Sequence, residues 1–260
     1  MRILYLANNK LGWQIGKWLV EETDDEIVGL VVHPQDKRRY GDEILDLFNF
    51  LPDSQIFDGS TLRNQATRDA IANLNADICL SIFFGYILKP AFIDLFPKGV
   101  MNLHPSYLPY NRGASPNIWS IIENTPAGVT LHYIDSGIDT GKIIVQREVQ
   151  VDPTDTAKTL YEKLEHASYQ LFVDSWDSIK SESFEPVLQS PDEGTFHYVK
   201  DIQSIDEIDL DATYVARDLI NILRARTFPP YKGAYFLTED GRRVNIRIEL
   251  EYLESLSQKE

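Results

Sequence analysis

The opening of the chain constrains its fold more than any other stretch. Arg2–Ala7 reads as a buried strand, residues 11–22 as an amphipathic helix, and Glu26–Val32 as a second strand rich in Val and Ile. Strands joined by a helix of that length pair in parallel, because the crossover must climb one face of the sheet before the chain can return in the same direction. Residues 77–83 are then almost continuously apolar, as a parallel strand covered on both faces would be. The polar amphipathic stretch 61–74 before them reads as a helix that Ser60 or Thr61 is placed to cap. The interval 34–60 is irregular apart from a helix around 42–50 and a short strand at 55–57.

The chemistry-bearing residues cluster further on. Residues 99–104 alternate apolar with polar, and that period of two puts Asn102 and His104 on one face of a strand. An Asn amide can donate to a developing oxyanion, and an imidazole can pass a proton near neutral pH. After a loop-rich passage, 106–115, the turn Asp139-Thr140-Gly141 offers a carboxylate able to orient or charge-balance the imidazole; its competing reading is a plain turn former. No Ser or Cys nucleophile accompanies these groups, so the attacking atom belongs to a substrate, most naturally an amine. His132, on a strand at 128–134, reads as structural. His33, at a strand end before Pro34, and His166, in a helix, carry no assignment.

At the carboxyl end of strand 77–83 the loop Phe84, Gly85, Tyr86, Ile87 and Leu88 enters a helix at Pro90. Two aromatics, two aliphatics and a glycine there suit a flat aromatic ligand whose polar edge meets free backbone groups. Asn9 and Lys10, beyond the end of the first strand, are candidates to touch the acceptor, since ligands of parallel sheets sit at that edge. The turn at 7–12 is not the three-glycine dinucleotide fingerprint, and no Gly-Lys-Ser or Gly-Lys-Thr phosphate loop occurs, so nicotinamide and ATP chemistry lose support.

Further along, 117–123 reads as a short helix with Trp119 on its apolar side, and 128–134 and 142–151 as alternating strands. Thr154 or Asp155 can cap a long helix, 156–178, in which Leu160, Leu164, Ala167, Leu171 and Val173 make one apolar face. The expected architecture is α/β: a Rossmann-like, mostly parallel sheet flanked by helices over 1–182. A small mixed α+β segment, 183–260, follows a Pro- and acid-containing connection. It holds a helix at 212–224 and ends in a hairpin signalled by Glu239-Asp240-Gly241.

Three separated blocks, Asn102-Leu103-His104-Pro105 with the following 106–109, Gly128 to His132, and Ile138 to Ile144, agree in order and spacing with one family. In them the chain resembles the formyltransferases that use 10-formyltetrahydrofolate, among them glycinamide ribonucleotide transformylase, methionyl-tRNA formyltransferase and the amino-sugar N-formyltransferases. The resemblance implies that Asn102, His104 and Asp139 are the catalytic triad. It implies that 84–88 hold the pteridine of the folate, and that Asp135, Ser136, Gly137 and Ile138 form the other wall of that pocket. The loop with Tyr107, Tyr110, Asn111 and Arg112 most resembles the sugar N-formyltransferases, in which it lies beside the amino sugar, and Arg112 could meet a phosphate or sugar oxygen. Thr195, His197, Tyr198 and Lys200 are further candidates to contact a nucleotide. The run 223–234 resembles the carboxyl-terminal region of methionyl-tRNA and 4-amino-arabinose formyltransferases.

The acceptor expected from this is a nucleotide-linked amino-deoxysugar. Methionyl-tRNA, glycinamide ribonucleotide, and a hydrolase releasing formate from the same folate remain alternatives. A net charge of -15 over 260 residues disfavours nucleic-acid backbone as a partner. The single cysteine, Cys79, excludes an internal disulfide. With no signal peptide and no apolar run of transmembrane length, a cytoplasmic protein without a membrane partner is expected. No His and acid spacing suggests a metal site. The terminal hairpin is the surface through which two copies would pair.

Overall fold

In the computed structural model, residues 1–190 and 192–253 are described. The chain runs β1 (Arg2–Ala7), α1 (Asn9–Glu22), β2 (Glu26–Val32), α2 (Gly41–Leu47), β3 (Ile56–Asp58), α3 (Gln65–Ala72), β4 (Ile78–Ile82), α4 (Pro90–Ile93) and β5 (Val100–His104). It continues through β6 (Arg112–Gly113), α5 (Pro116–Glu123), β7 (Gly128–Tyr133), β8 (Ile143–Glu148), α6 (Ala157–Lys180) and β9 (Phe196–His197), then α7 (Ala216–Ala225), β10 (Tyr235–Leu237) and β11 (Arg243–Asn245).

Seven strands form one sheet in the order β3-β2-β1-β4-β5-β7-β8. The first five are parallel, and β7 and β8 are antiparallel additions at the far edge. The mostly parallel sheet expected from the opening βαβ unit is therefore the one observed, and β10 and β11 make the expected terminal hairpin. The central strands β1, β2 and β4 are covered on both faces, which is why they read as almost continuously apolar. Along β1, Ile3, Tyr5 and Ala7 pack toward α1 and α6, while Leu4 and Leu6 pack toward the side of α3 and α4. The long helix α6 buries Leu160, Leu164, Leu171, Phe172 and Trp176. Full burial of such side chains stabilises by roughly 1.5–3 kcal/mol each before conformational entropy is subtracted. Val173, expected on that face, is half-buried; Phe172 takes the inward place.

Several helix starts differ from the sequence reading because side chains choose other partners. Neither Ser60 nor Thr61 caps α3. The Asp58 carboxylate accepts the Ser60 N–H and winds 59–61 into a separate 3-10 turn, so α3 begins only at Gln65. The cap of α6 is Thr156 rather than Thr154 or Asp155, its hydroxyl exchanging hydrogen bonds with Thr159 in a capping box. Asp155 instead accepts from Lys163 and the Asp152 N–H.

The carboxyl-terminal segment is tied to the sheet domain by a buried cation. Arg224 on α7 donates to the carbonyls of Asp152, Pro153 and Asp155 ahead of α6. Among the described residues no helix is long and apolar enough to cross a membrane.

Candidate active site

The three groups singled out in the sequence meet beyond the carboxyl end of β5. Period two turns Asn102 and His104 to the same side, into a cleft of about 1050 Å³. After β7 the chain loops back through 135–141, and Asp139, held at φ +54, brings its carboxylate to the imidazole: Oδ2 lies 3.6 Å from His104 Nε2. The same Oδ2 accepts the Gly113 N–H at 2.9 Å. A left-handed backbone at a non-glycine residue is uncommon, though Asp tolerates it better than most, and it belongs to sites whose surroundings hold it in place.

A fourth group joins them. The antiparallel register of β5 on β7 sets His132 opposite Asn102, and His132 Nε2 sits 3.2 Å from Asn102 Nδ2 and 3.6 Å from Asp139 Oδ1. The proton positions follow from the partners. His132 Nδ1 faces the Tyr133 carbonyl at 2.8 Å, which can only accept, so Nδ1 carries a hydrogen. Burial disfavours the cation and pushes the His132 pKa down to about 4, against the raising effect of Asp139. The neutral ring therefore presents its Nε2 lone pair to Asn102. That requires the NH2 end of the amide to face His132, which leaves the second N–H of Asn102 free for the cleft. His104 Nε2 faces only acceptors, the Asp139 carboxylate and the Asn111 carbonyl at 3.5 Å, so it carries a hydrogen too.

On one side of these groups the cleft wall is the loop 84–88. Phe84 and Tyr86 pack on each other, and His33 stands edge-on to Phe84 with ring centroids 4.9 Å apart. His33 Nε2 accepts the Gly85 N–H at 3.2 Å, and burial lowers its pKa, which favours that neutral acceptor form. The backbone N–H groups of Tyr86, Ile87 and Leu88 find no protein acceptor among the described residues, so they are available to the polar edge of a flat ligand. Ile87 is 57% exposed, an apolar side chain presented to the opening. Gly137 and Ile138 line the same cleft. Asp135 and Ser136 lie outside the wall, because the Asp135 carboxylate turns back to accept from the Gly137 N–H and the Thr140 hydroxyl, shaping the turn.

On the other side is a second aromatic group: Tyr161 lies between Phe83 and Phe228, at 6.5 and 5.6 Å, and Tyr231 packs on Phe228 at 5.4 Å. Arg39 and Lys232 line this part of the cleft, and neither has an ion-pair partner among the described residues.

Residues 14–175 match the family described as formyl transferase, and 201–252 match the N-formyltransferase dimerization C-terminal domain. The chain belongs to the formyltransferase family. Over 178 residues it is 35% identical to a dTDP-4-amino-4,6-dideoxyglucose formyltransferase of Mycobacterium tuberculosis, which takes in 67% of this chain and 74% of the relative. The crystal structure of a 4-N formyltransferase from Francisella tularensis is similar with a TM-score of 0.82 and 28% identity, covering 97% of this chain and 98% of that one. The formyltransferase PseJ from Anoxybacillus kamchatkensis, solved with UDP-4,6-dideoxy-4-formamido-L-AltNAc and tetrahydrofolate, is 34% identical with a TM-score of 0.55, over 78% and 89% of the two chains.

The acceptor-side residues expected from the sequence of this formyltransferase divide into two sets. Asn9, His197 and Tyr198 line the cleft. His197 stacks on Trp119 with centroids 3.9 Å apart and its Nε2 is 3.0 Å from Glu123 Oε1. Lys10, Tyr107, Tyr110, Asn111 and Arg112 are not brought to the cleft wall. Lys10 is exposed on the first turn of α1, whose start is set two residues earlier than expected by the Asn9 side chain accepting the Leu11 and Gly12 N–H groups. Asn111 is buried, its amide bonded to Thr125 and Thr195. Arg112 spends its guanidinium on Gln189 and the Ser190 carbonyl. Tyr107 packs beside Gly128, and Tyr110 is half-buried in the loop's own turn. The sequence reading missed His132, Arg39 and most of the second aromatic group; the 228–232 run was its only trace.

Proposed function

We propose that this formyltransferase moves the formyl group of 10-formyltetrahydrofolate to the amine of a nucleotide-linked amino sugar, with Asn102, His104 and Asp139 as its catalytic residues. The observation that carries the reading is the meeting of these three groups between the 84–88 loop and the second aromatic group. Residues 84–88 with Gly137 and Ile138 would hold the pteridine, apolar side chains against its ring and free N–H groups on its edge.

The acceptor amine, held neutral, attacks the formyl carbon. As the C–N bond forms, the carbonyl electrons move to oxygen, where the free N–H of Asn102 and the protonated imidazole of His104 stabilise the charge. Asp139 removes the amine proton, directly or through a water. Collapse breaks the bond from the formyl carbon to the folate nitrogen, which leaves with a proton from His104. Phe83, Tyr161, Phe228 and Tyr231 supply faces on which a nucleobase stacks, and Arg39 and Lys232 supply charge for a diphosphate. The names and ligands of the mycobacterial and Anoxybacillus relatives support a nucleotide-linked amino sugar as the class.

In this reading the catalytic unit is 1–182, and 183–260 serves acceptor binding and the pairing of two copies. The enzyme works in the cytoplasm without membrane or nucleic-acid partners.

The test is mass spectrometry after incubation with 10-formyltetrahydrofolate and dTDP-4-amino-4,6-dideoxyglucose or its UDP-linked counterparts. One of these sugars should gain a single formyl group as tetrahydrofolate is released. Formate release without any sugar product would make the protein a hydrolase, and formylation of glycinamide ribonucleotide or methionyl-tRNA alone would reassign the acceptor.

A further inference from the structure

Gln189 lies beyond α6, in a stretch whose side chains are mostly exposed. Val187 and Leu188 before it are 62% and 75% exposed, whereas Gln189 is half-buried. The backbone of Val187 bridges Ile143 with two hydrogen bonds of 2.8 Å, which delivers Gln189 to the turn that carries Asp139. There its Nε2 donates both hydrogens, one to the Asp139 carbonyl at 2.8 Å and one to the Gly141 carbonyl at 2.7 Å. Its Oε1 accepts from Arg112 Nε at 3.0 Å.

We propose that Gln189 is a positioning residue for formyl transfer, holding the Asp139 carboxylate at His104 by clasping the turn on either side of Thr140 and tying it to the Arg112-Gly113 strand. This rests on the role given to Asp139 above. A left-handed backbone is strained at a non-glycine residue, so the turn keeps Asp139 in it only while neighbours pin it. Two neighbours do so: Gly113, whose N–H meets Oδ2, and Gln189, whose amide meets the backbone. Gln189 links the two, because Arg112, the residue before Gly113, is the group its oxygen accepts from. The Arg112-Gly113 strand is itself held from the same downstream segment, by the Thr195 carbonyl on the Arg112 N–H at 3.0 Å and by the pairing of Gly113 with His197. Val187 and Gln189 on one side of the connection and Thr195 and His197 on the other thus hold both loops that set the carboxylate, and Gln189 is the side chain that joins them.

The roles of its two ends separate in two variants of the full chain. Gln189→Glu keeps an acceptor for Arg112 but sets a carboxylate against two carbonyl oxygens. Gln189→Met keeps the length and loses both. Both variants should lose tenfold or more in kcat, with KM for 10-formyltetrahydrofolate changed much less, since the clasp bonds Asp139 and Gly141 and touches neither the 84–88 loop nor the Gly137 and Ile138 backbone. A second readout needs no acceptor and so stands whether or not the sugar assignment holds: amide-resolved hydrogen exchange of Gly113 should quicken at least tenfold in both variants, while amides of β1, β4 and β5 keep their protection. Wild-type kcat in Gln189→Glu would show that only the Arg112 contact matters. Unchanged exchange at Gly113 would show that the clasp does not reach the carboxylate, and exchange quickened across the whole sheet would show general loosening. Each of these three results overturns the proposal.

Discussion

His132 and Asn102 face each other across two antiparallel strands, and the proton state of the imidazole decides which end of the amide the cleft receives. A buried neutral His carries a pH signature whose sign is fixed. Its native pKa lies near 4, below the unfolded value of about 6.5, so between those limits the unfolded chain holds a proton that the native protein does not. Stability contributed by this group is therefore complete above about pH 6.5 and is lost as pH falls toward 4, with a slope approaching roughly 1.4 kcal/mol per pH unit. His33, whose pKa burial also lowers, adds a slope of the same sign. Chemical denaturation from pH 7 to pH 5 should show this decline, and His132→Gln should flatten it by the share of one proton; an unaltered slope in that variant contradicts the neutral assignment. The residue types at 102, 104 and 139 were legible from alternation and the acidic turn, whereas His132 was not. Its identity says nothing until the register is known that sets it against Asn102. Arg112 was misplaced for a similar reason, since its partner Gln189 lies 77 positions away.

Elements act on the site mainly by close approach. Gly59, at the start of the 3-10 turn after β3, sits beneath the 84–88 loop: a Cβ there would lie 2.6 Å from the Phe84 ring and 3.1 Å from Tyr86. Phe84 is 7% exposed and backed by His33, so it has little room to yield. Gly59→Ala should push the loop outward and raise KM for 10-formyltetrahydrofolate by about five- to tenfold, with kcat changed by less than twofold. A normal KM in steady-state assays would detach this loop from donor binding. The central strands and the long helix could be read from their patterning, because β1, β2 and β4 are buried along nearly their whole length and α6 buries one face. The caps could not, because Asp58 and Thr156 win their N–H groups through spacing that several neighbouring Ser, Thr and Asp residues share.

At the scale of the molecule, the 84–88 loop, Asn102, His104, Asp139 and the second aromatic group line one cleft, and the carboxyl-terminal segment adds His197, Tyr198, Phe228 and Tyr231 to its wall. The same segment leaves apolar side chains outside: Leu237 and Val244 on the hairpin are 43% and 39% exposed. Its match to a dimerization domain and this surface support pairing through the hairpin. Sedimentation should give twice the chain mass for the wild type and the single-chain mass for a Leu237→Asp, Val244→Asp variant; a monomeric wild type at micromolar concentration contradicts the pairing. In the proposed mechanism three groups act on one formyl carbon, and single-turnover transfer with donor and acceptor both saturating isolates that step. Asn102→Ala, His104→Ala and Asp139→Ala should each slow it about a hundredfold or more, with donor affinity, read by quenching of protein fluorescence, within twofold of wild type. A His104→Ala enzyme that transfers at near the wild-type rate would contradict the central claim.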